Sequence, residues 1–360
     1  MLARLLLVAF AAFVMLNGLV LAIAHGTGLG SAPSDIQTRG IYEVRLSQLH
    51  ARVGESVAVI GDSVVFGGHL AEKHGAKWPT LALPGQLELE LAKREHTTVS
   101  VLNLGINGLL FRELTCVVRD VLEHKPDALF INVSPRAFAA DFASDEGGSA
   151  RPFLCPRADF AGKAESALRS VVPALRYRDL WQFEWLSTTP RALARDQISK
   201  LFVAPPEPAQ PKAAHAADDE DEDDDAYVAS LLWRFKAAQR LNSIDVRRDH
   251  PQAEELDALL TLIREANETR VVLFYLHEDE DALAGQLEVE RFHAQRARFA
   301  DWVKAGLGRS EHARFVQLSA SDFRGQYVDH VHLTATGYEA LAQRLSQTLP
   351  KREPKRAAAH

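Results

Sequence analysis

Five short apolar runs without regular polar alternation constrain this chain most: residues 56–60, 98–103, 127–133, 270–276 and 314–318. A strand with one wet face alternates apolar and polar side chains. A strand covered on both faces reads as a nearly continuous apolar run, as in parallel sheets. Helical patterns fill the intervals, at about 85–95, 109–124, 252–267 and 285–306. Strand–helix alternation of this kind predicts an α/β protein, a doubly wound α/β/α sandwich. Ligands in such sheets bind beyond the carboxyl ends of the strands.

Reactive residues follow several of these runs directly. Gly61-Asp62-Ser63 ends the first, and Gly67 lies just beyond. Glycine before the serine permits a sharp turn at the strand end. Far along the chain stands Asp329-His330-Val331-His332, just before a helix with an apolar face of Tyr338, Leu341, Leu345 and Leu349. A serine becomes a nucleophile when a base takes its proton, and a histidine base needs a carboxylate to set its ring and tautomer. Ser63, His332 and Asp329 supply these three groups. Each tripeptide alone is common. Their joint occurrence, in order, after a strand and before a terminal helix, is what carries the expectation.

These residues resemble the SGNH, or GDSL-like, hydrolase superfamily. Gly61-Asp62-Ser63 with Gly67 is similar to its first block. Asn103-Leu104-Gly105-Ile106-Asn107-Gly108 is similar to its second, and Asp329-x-x-His332 to its last. The resemblance covers about residues 55–140 and 268–349. It implies a flavodoxin-like three-layer α/β/α sandwich around a mostly parallel five-stranded sheet. It also implies an oxyanion hole using the backbone N–H groups of Ser63 and Gly108. The third block departs from the family's Gly-x-Asn-Asp. Ser134-Pro135-Arg136-Ala137-Phe138 follows the third run, and Arg136 falls about where the oxyanion asparagine belongs, while Asn132 comes too early. Arg136 is expected either to donate to the oxyanion or to bind an anionic group. Asp62, Asn107, Ser134 and His330 are the expected substrate-binding residues. The Ser-Pro-x-x-Phe turn is also similar to membrane-anchored D-alanyl transfer proteins of teichoic acid modification, which work beside a membrane-bound O-acyltransferase.

Composition limits the partners. The net charge is −7, but the run Asp218 to Asp225 holds eight acidic residues, so the remainder is close to neutral. Nothing predicts a nucleic-acid surface. Residues 5–24 form a nearly unbroken apolar run behind Arg4, ending in Ala22-Ile23-Ala24. It reads as an N-terminal transmembrane anchor over residues 1–24 or as a signal peptide. Either reading puts the remainder outside the cytoplasm: in a bacterium, an inner-membrane protein with a periplasmic domain, or a secreted one. Cys116 and Cys155 can pair there, and neither has the His/Cys company of a metal site.

Residues 25–54 read as a linker and approach helix, and 55–349 as the main domain. An insertion at 140–250 contains Trp181, Phe183 and Trp185, expected as a satellite core. It also contains a disordered acidic loop at about 203–226. Residues 350–360 read as a basic tail. The functional expectation is an extracytoplasmic serine esterase or O-acyltransferase without metal or organic cofactor. The resemblance implies acetyl esters of a cell-envelope or exported polysaccharide. The alternative is a non-catalytic binding or assembly subunit assisting a membrane-bound O-acyltransferase.

Overall fold

Each of the five apolar runs becomes a strand of one parallel sheet: β1 (Glu55–Gly61), β2 (Val99–Gly105), β3 (Ala128–Asn132), β4 (Arg270–Leu276) and β5 (Ala313–Leu318). The computed structural model describes residues 2–27, 36, 38–49, 54–143, 152–155, 168, 172–175, 232–283 and 285–350. The predicted acidic loop, Trp181, Phe183, Trp185 and the tail beyond Pro350 lie outside the described residues.

The strand order is β2-β1-β3-β4-β5, and every pairing is parallel. The register runs from Glu55 opposite Val99 to Gly61 opposite Gly105, and from Val57 opposite Ala128 to Ile60 opposite Ile131. The chain leaves β1 for one edge and then returns to its other side for β3. The carboxyl ends of β1 and β3 therefore flank a topological switch point, where connections diverge and leave a crevice.

Helices cover the sheet: α1 (Leu2–Thr27), α2 (Arg39–Ser47), α3 (Ser63–Phe66), α4 (Leu83–Glu95), α5 (Phe111–Glu123), α6 (residues 232–242), α7 (Pro251–Glu265), α8 (Val289–Leu307) and α9 (Ala335–Thr348). Successive strand residues point to opposite faces, and this sheet divides its side chains accordingly. Val57, Val59, Phe130 and Phe274 pack with Leu87 and Leu91 of α4 and Leu341 and Leu345 of α9. Ala58, Ile60, Leu129 and Leu273 pack with Val117 of α5, Leu260 of α7 and Phe299 of α8. β1, β3 and β4 are thus buried on both faces, which is why their sequences lack alternation. β5, at an edge, exposes Arg314 and Gln317.

The Cys116–Cys155 disulfide is formed, with Cα atoms 5.2 Å apart. It ties α5 to the residue that follows the 3-10 turn Pro152–Leu154. At the N-terminus, the apolar run is helical. Among the described residues, no helix is long and apolar enough to cross a membrane. This departs from the transmembrane expectation. α1 exposes Leu7, Phe10 and Met15, while Val20 and Leu21 pack on the core. Asn17 anchors it further, its Oδ1 accepting the Ala174 N–H at 3.0 Å.

Candidate active site

β1 delivers Ser63 through a one-residue junction. Asp62 caps α3, its Oδ1 accepting the Val64 N–H at 2.9 Å, while its carbonyl accepts the Val65 and Phe66 N–H groups at 3.0 Å. Ser63 is therefore the first helical residue, and its own N–H is left without an intrahelical acceptor. β2 holds this turn tightly. A Cβ on Gly105 would lie 2.2 Å from the Phe66 nitrogen, so only glycine lets the end of β2 approach α3 this closely.

The chain after β5 supplies the base. Asp329 folds its own loop: its Oδ1 accepts the N–H groups of Val331 and His332, both at 2.8 Å. Its Oδ2 accepts the His332 Nδ1–H at 2.6 Å. The opposite ring nitrogen, Nε2, lies 2.9 Å from Ser63 Oγ and accepts the hydroxyl proton. Ser63, His332 and Asp329, the three residues singled out from sequence, are thus brought together in chain. Burial opposes charge on Asp329, but the hydrogen bond and charge of His332, with the two backbone donors, outweigh it. The carboxyl is held well below the usual carboxylate range.

His69 was not singled out from the sequence, where it has no motif around it. Its ring lies 4.8 Å from that of His332, centroid to centroid. Its Nε2–H donates to the Leu333 carbonyl at 2.9 Å. Burial lowers the His69 imidazole below its ordinary range, which favours a neutral ring packed against the base.

An open cavity of about 220 Å³ borders Ser63 at the switch point. Its lining includes Gly61, Asp62, Gly108, Asn132, Ser134 and Arg136. Gly108 sits at φ +71°, a left-handed conformation that favours glycine. Among the described residues, neither the Ser63 nor the Gly108 N–H has a hydrogen-bond acceptor. Both residues line the one cavity, which puts two such backbone donors at the place an oxyanion site requires.

Arg136 follows the second of its two sequence expectations: it binds an anionic group, a carboxylate of the protein itself. Its guanidinium pairs with the Asp62 carboxylate, and its Nε–H donates to Ser134 Oγ at 3.2 Å. Burial works against its charge, but Asp62 and then Glu278 more than offset this. Arg136 lines the cavity as half of an ion pair, and the same pair engages Asp62 and Ser134, expected as substrate contacts. The cause is chain topology: the turn after β3 lies beside the turn after β1, and the Asp62 carboxylate is the nearer anion. Asn132 was set aside as too early in the sequence, yet it lines the cavity. Asn107, expected to bind substrate, does not. His330 is neither a surface group nor a cavity residue. Its side chain is 12% exposed, edge-on to Trp233 with ring centroids 5.0 Å apart. Burial and then the Arg136 charge push it down to about 4.

No family model matches the chain, and no curated protein matches it. Among solved structures, one crystal structure aligns over 81% of this chain and 96% of its own, at 12% identity and a TM-score of 0.34. Similarity at that level carries no argument about fold or activity.

Proposed function

We propose that the protein is a serine-nucleophile ester hydrolase or O-acyltransferase with an SGNH-type site. The observation that carries this reading is the continuous Ser63–His332–Asp329 chain, with contacts of 2.9 and 2.6 Å. In the first step Ser63 Oγ bonds to the ester carbonyl carbon, and His332 Nε2 takes the hydroxyl proton. The carbon–oxygen bond to the alcohol then breaks, and His332 returns that proton to the leaving oxygen. In the second step water or an acceptor hydroxyl attacks the acyl-Ser63 carbonyl and gives its proton to His332. Ser63 leaves and recovers it. Asp329 holds His332 in the tautomer with bare Nε2, and the Ser63 and Gly108 N–H groups stabilise the oxyanion.

A polysaccharide or other envelope ester as substrate, and a membrane O-acyltransferase as partner, belong to this proposal through the sequence resemblance. Extracytoplasmic placement is supported by the disulfide, since such bonds persist in oxidising compartments. Membrane attachment through the N-terminus is supported by the apolar side chains exposed on α1. The alternative of a non-catalytic binding subunit has no comparable contact in its favour.

The test is p-nitrophenyl acetate turnover by the purified full-length chain beside Ser63→Ala and His332→Ala. Turnover lost in both folded variants supports the reading. Wild-type turnover unchanged by either substitution removes it.

A further inference from the structure

The cavity beside Ser63 has two kinds of wall. One carries the oxyanion donors, Ser63 and Gly108. The other is apolar: Leu109, Leu110, Phe111, Leu114, Ala137 and Phe142. Phe111, Leu110 and Leu114 are among the buried core residues, so the apolar wall reaches into the domain rather than lying along its surface. His332 and Asp329 do not line this cavity, although His332 touches Ser63 Oγ.

That separation distinguishes the two halves of an ester. His332 must reach the leaving oxygen to return its proton, so the alcohol lies on the His332 side of Ser63. The carbonyl oxygen lies on the two N–H groups. The remaining substituent of the carbonyl carbon is the acyl chain, and the space opening from the oxyanion donors is the lined cavity. About 220 Å³ is room for roughly seven water-sized groups, whereas an acetyl methyl fills one.

Charge narrows the class further. Two arginines border the cavity, but Arg136 pairs with Asp62, and Arg240 pairs with Asp141 at 2.9 Å while lying over the Phe142 ring. Each arginine already has a carboxylate beside it, so the lining carries no unmatched charge that would select an anionic acyl end.

We infer that this cavity is an acyl-chain site, and that the protein takes uncharged acyl groups longer than acetyl, of roughly four to eight carbons. The inference rests on the serine-nucleophile reading and specifies its substrate. The acyl group seats against Leu110, Phe111 and Leu114, with Ala137 and Phe142 completing the apolar wall. Each methylene moved from water to that wall is worth about fourfold in kcat/KM, until the cavity is full.

The test is a chain-length series of p-nitrophenyl esters, acetate to octanoate, with the purified full-length chain, Ser63→Ala, Ala137→Leu and Leu114→Trp. The expected result is Ser63-dependent kcat/KM that climbs from acetate and peaks between butyrate and octanoate. The hexanoate-to-acetate ratio should fall at least tenfold in both cavity-filling variants. Two variants at separate points of the wall are used, so that one remains if the other fails to fold. Ser63-dependent turnover that is best with acetate overturns the acyl-chain site and leaves the serine reading standing. So does a ratio unchanged in a folded filling variant. Turnover that persists in Ser63→Ala overturns the serine reading and the inference with it.

Discussion

Replacing Asp329 by asparagine separates the two jobs of that side chain. Its Oδ1 organises the loop through the Val331 and His332 N–H groups, and an asparagine carbonyl can keep both bonds. Its Oδ2 accepts the His332 Nδ1–H at 2.6 Å, and an asparagine amide nitrogen cannot. The amide donates instead, so His332 must bare Nδ1 and carry its proton on Nε2, facing Ser63 Oγ. A protonated Nε2 cannot take the serine proton. The wrong tautomer in a triad of this type costs ~10⁴ in turnover, which is about 5 kcal/mol of transition-state stabilisation. The loop should survive, so far-UV circular dichroism and thermal melting serve as the structural control. The assay is kcat/KM on the best p-nitrophenyl ester for wild type and Asp329→Asn. A loss of about four decades with folding retained is expected. A folded variant within tenfold of wild type would refute the argument that Asp329 sets the His332 tautomer.

Gly105→Ala places a methyl 2.2 Å from the Phe66 nitrogen, so α3 must shift and carry Ser63 with it. Misplacement on this scale should lower kcat/KM by ~10² and stability by about 1–3 kcal/mol, read by kinetics and urea unfolding. Reducing the Cys116–Cys155 bond, which closes a loop across 39 positions, should cost ~4 kcal/mol on the chain-entropy model. Urea midpoints with and without reductant measure it. His330 and His277 are both pushed down to about 4, His330 by burial and Arg136, His277 by burial and Arg296. Unfolded, each titrates near 6.5, so the unfolded chain binds more protons between those values. Their contribution is complete above about pH 6.5 and is lost as pH falls to 4, by up to about 3 kcal/mol each. Asp329, depressed in the fold, adds its own loss only below the usual carboxylate range. Urea unfolding at pH 7, 5.5 and 4.5 should therefore show stability declining steadily. A flat profile would contradict the burial of both imidazoles.

The sheet was legible in the sequence because burial on both faces removes alternation, and β1, β3 and β4 have that environment. The edge strand β5 was found from Phe315, Val316 and Leu318 despite exposed Arg314 and Gln317. The Ser63–His332–Asp329 grouping was legible because Ser63 and His332 each sit where a strand or loop meets a helix, and residues 269 positions apart come into hydrogen-bond contact. What was not legible depended on pairings across the chain. Arg136 reads equally as an oxyanion donor or an anion binder until Asp62, 74 positions earlier, is placed beside it. Asn132 reads as too early in the sequence, yet as the last residue of β3 it lines the cavity. The apolar wall joins residues from the turn after β2, from α5 and from the segment after β3, and no local pattern announces that they share one space. His330 reads as a substrate contact because it stands in the Asp329–His332 loop, but Trp233 from the far insertion packs against it.

The most direct test of a working Ser63 is labelling with a fluorophosphonate, which adds a phosphonyl group to an activated serine with loss of fluoride. Peptide mapping by mass spectrometry would follow wild type, Ser63→Ala and His332→Ala. The account predicts one adduct, on Ser63, absent from Ser63→Ala and reduced at least a hundredfold in rate in His332→Ala. A folded wild type that takes no adduct, or one whose labelling is indifferent to His332, would contradict it.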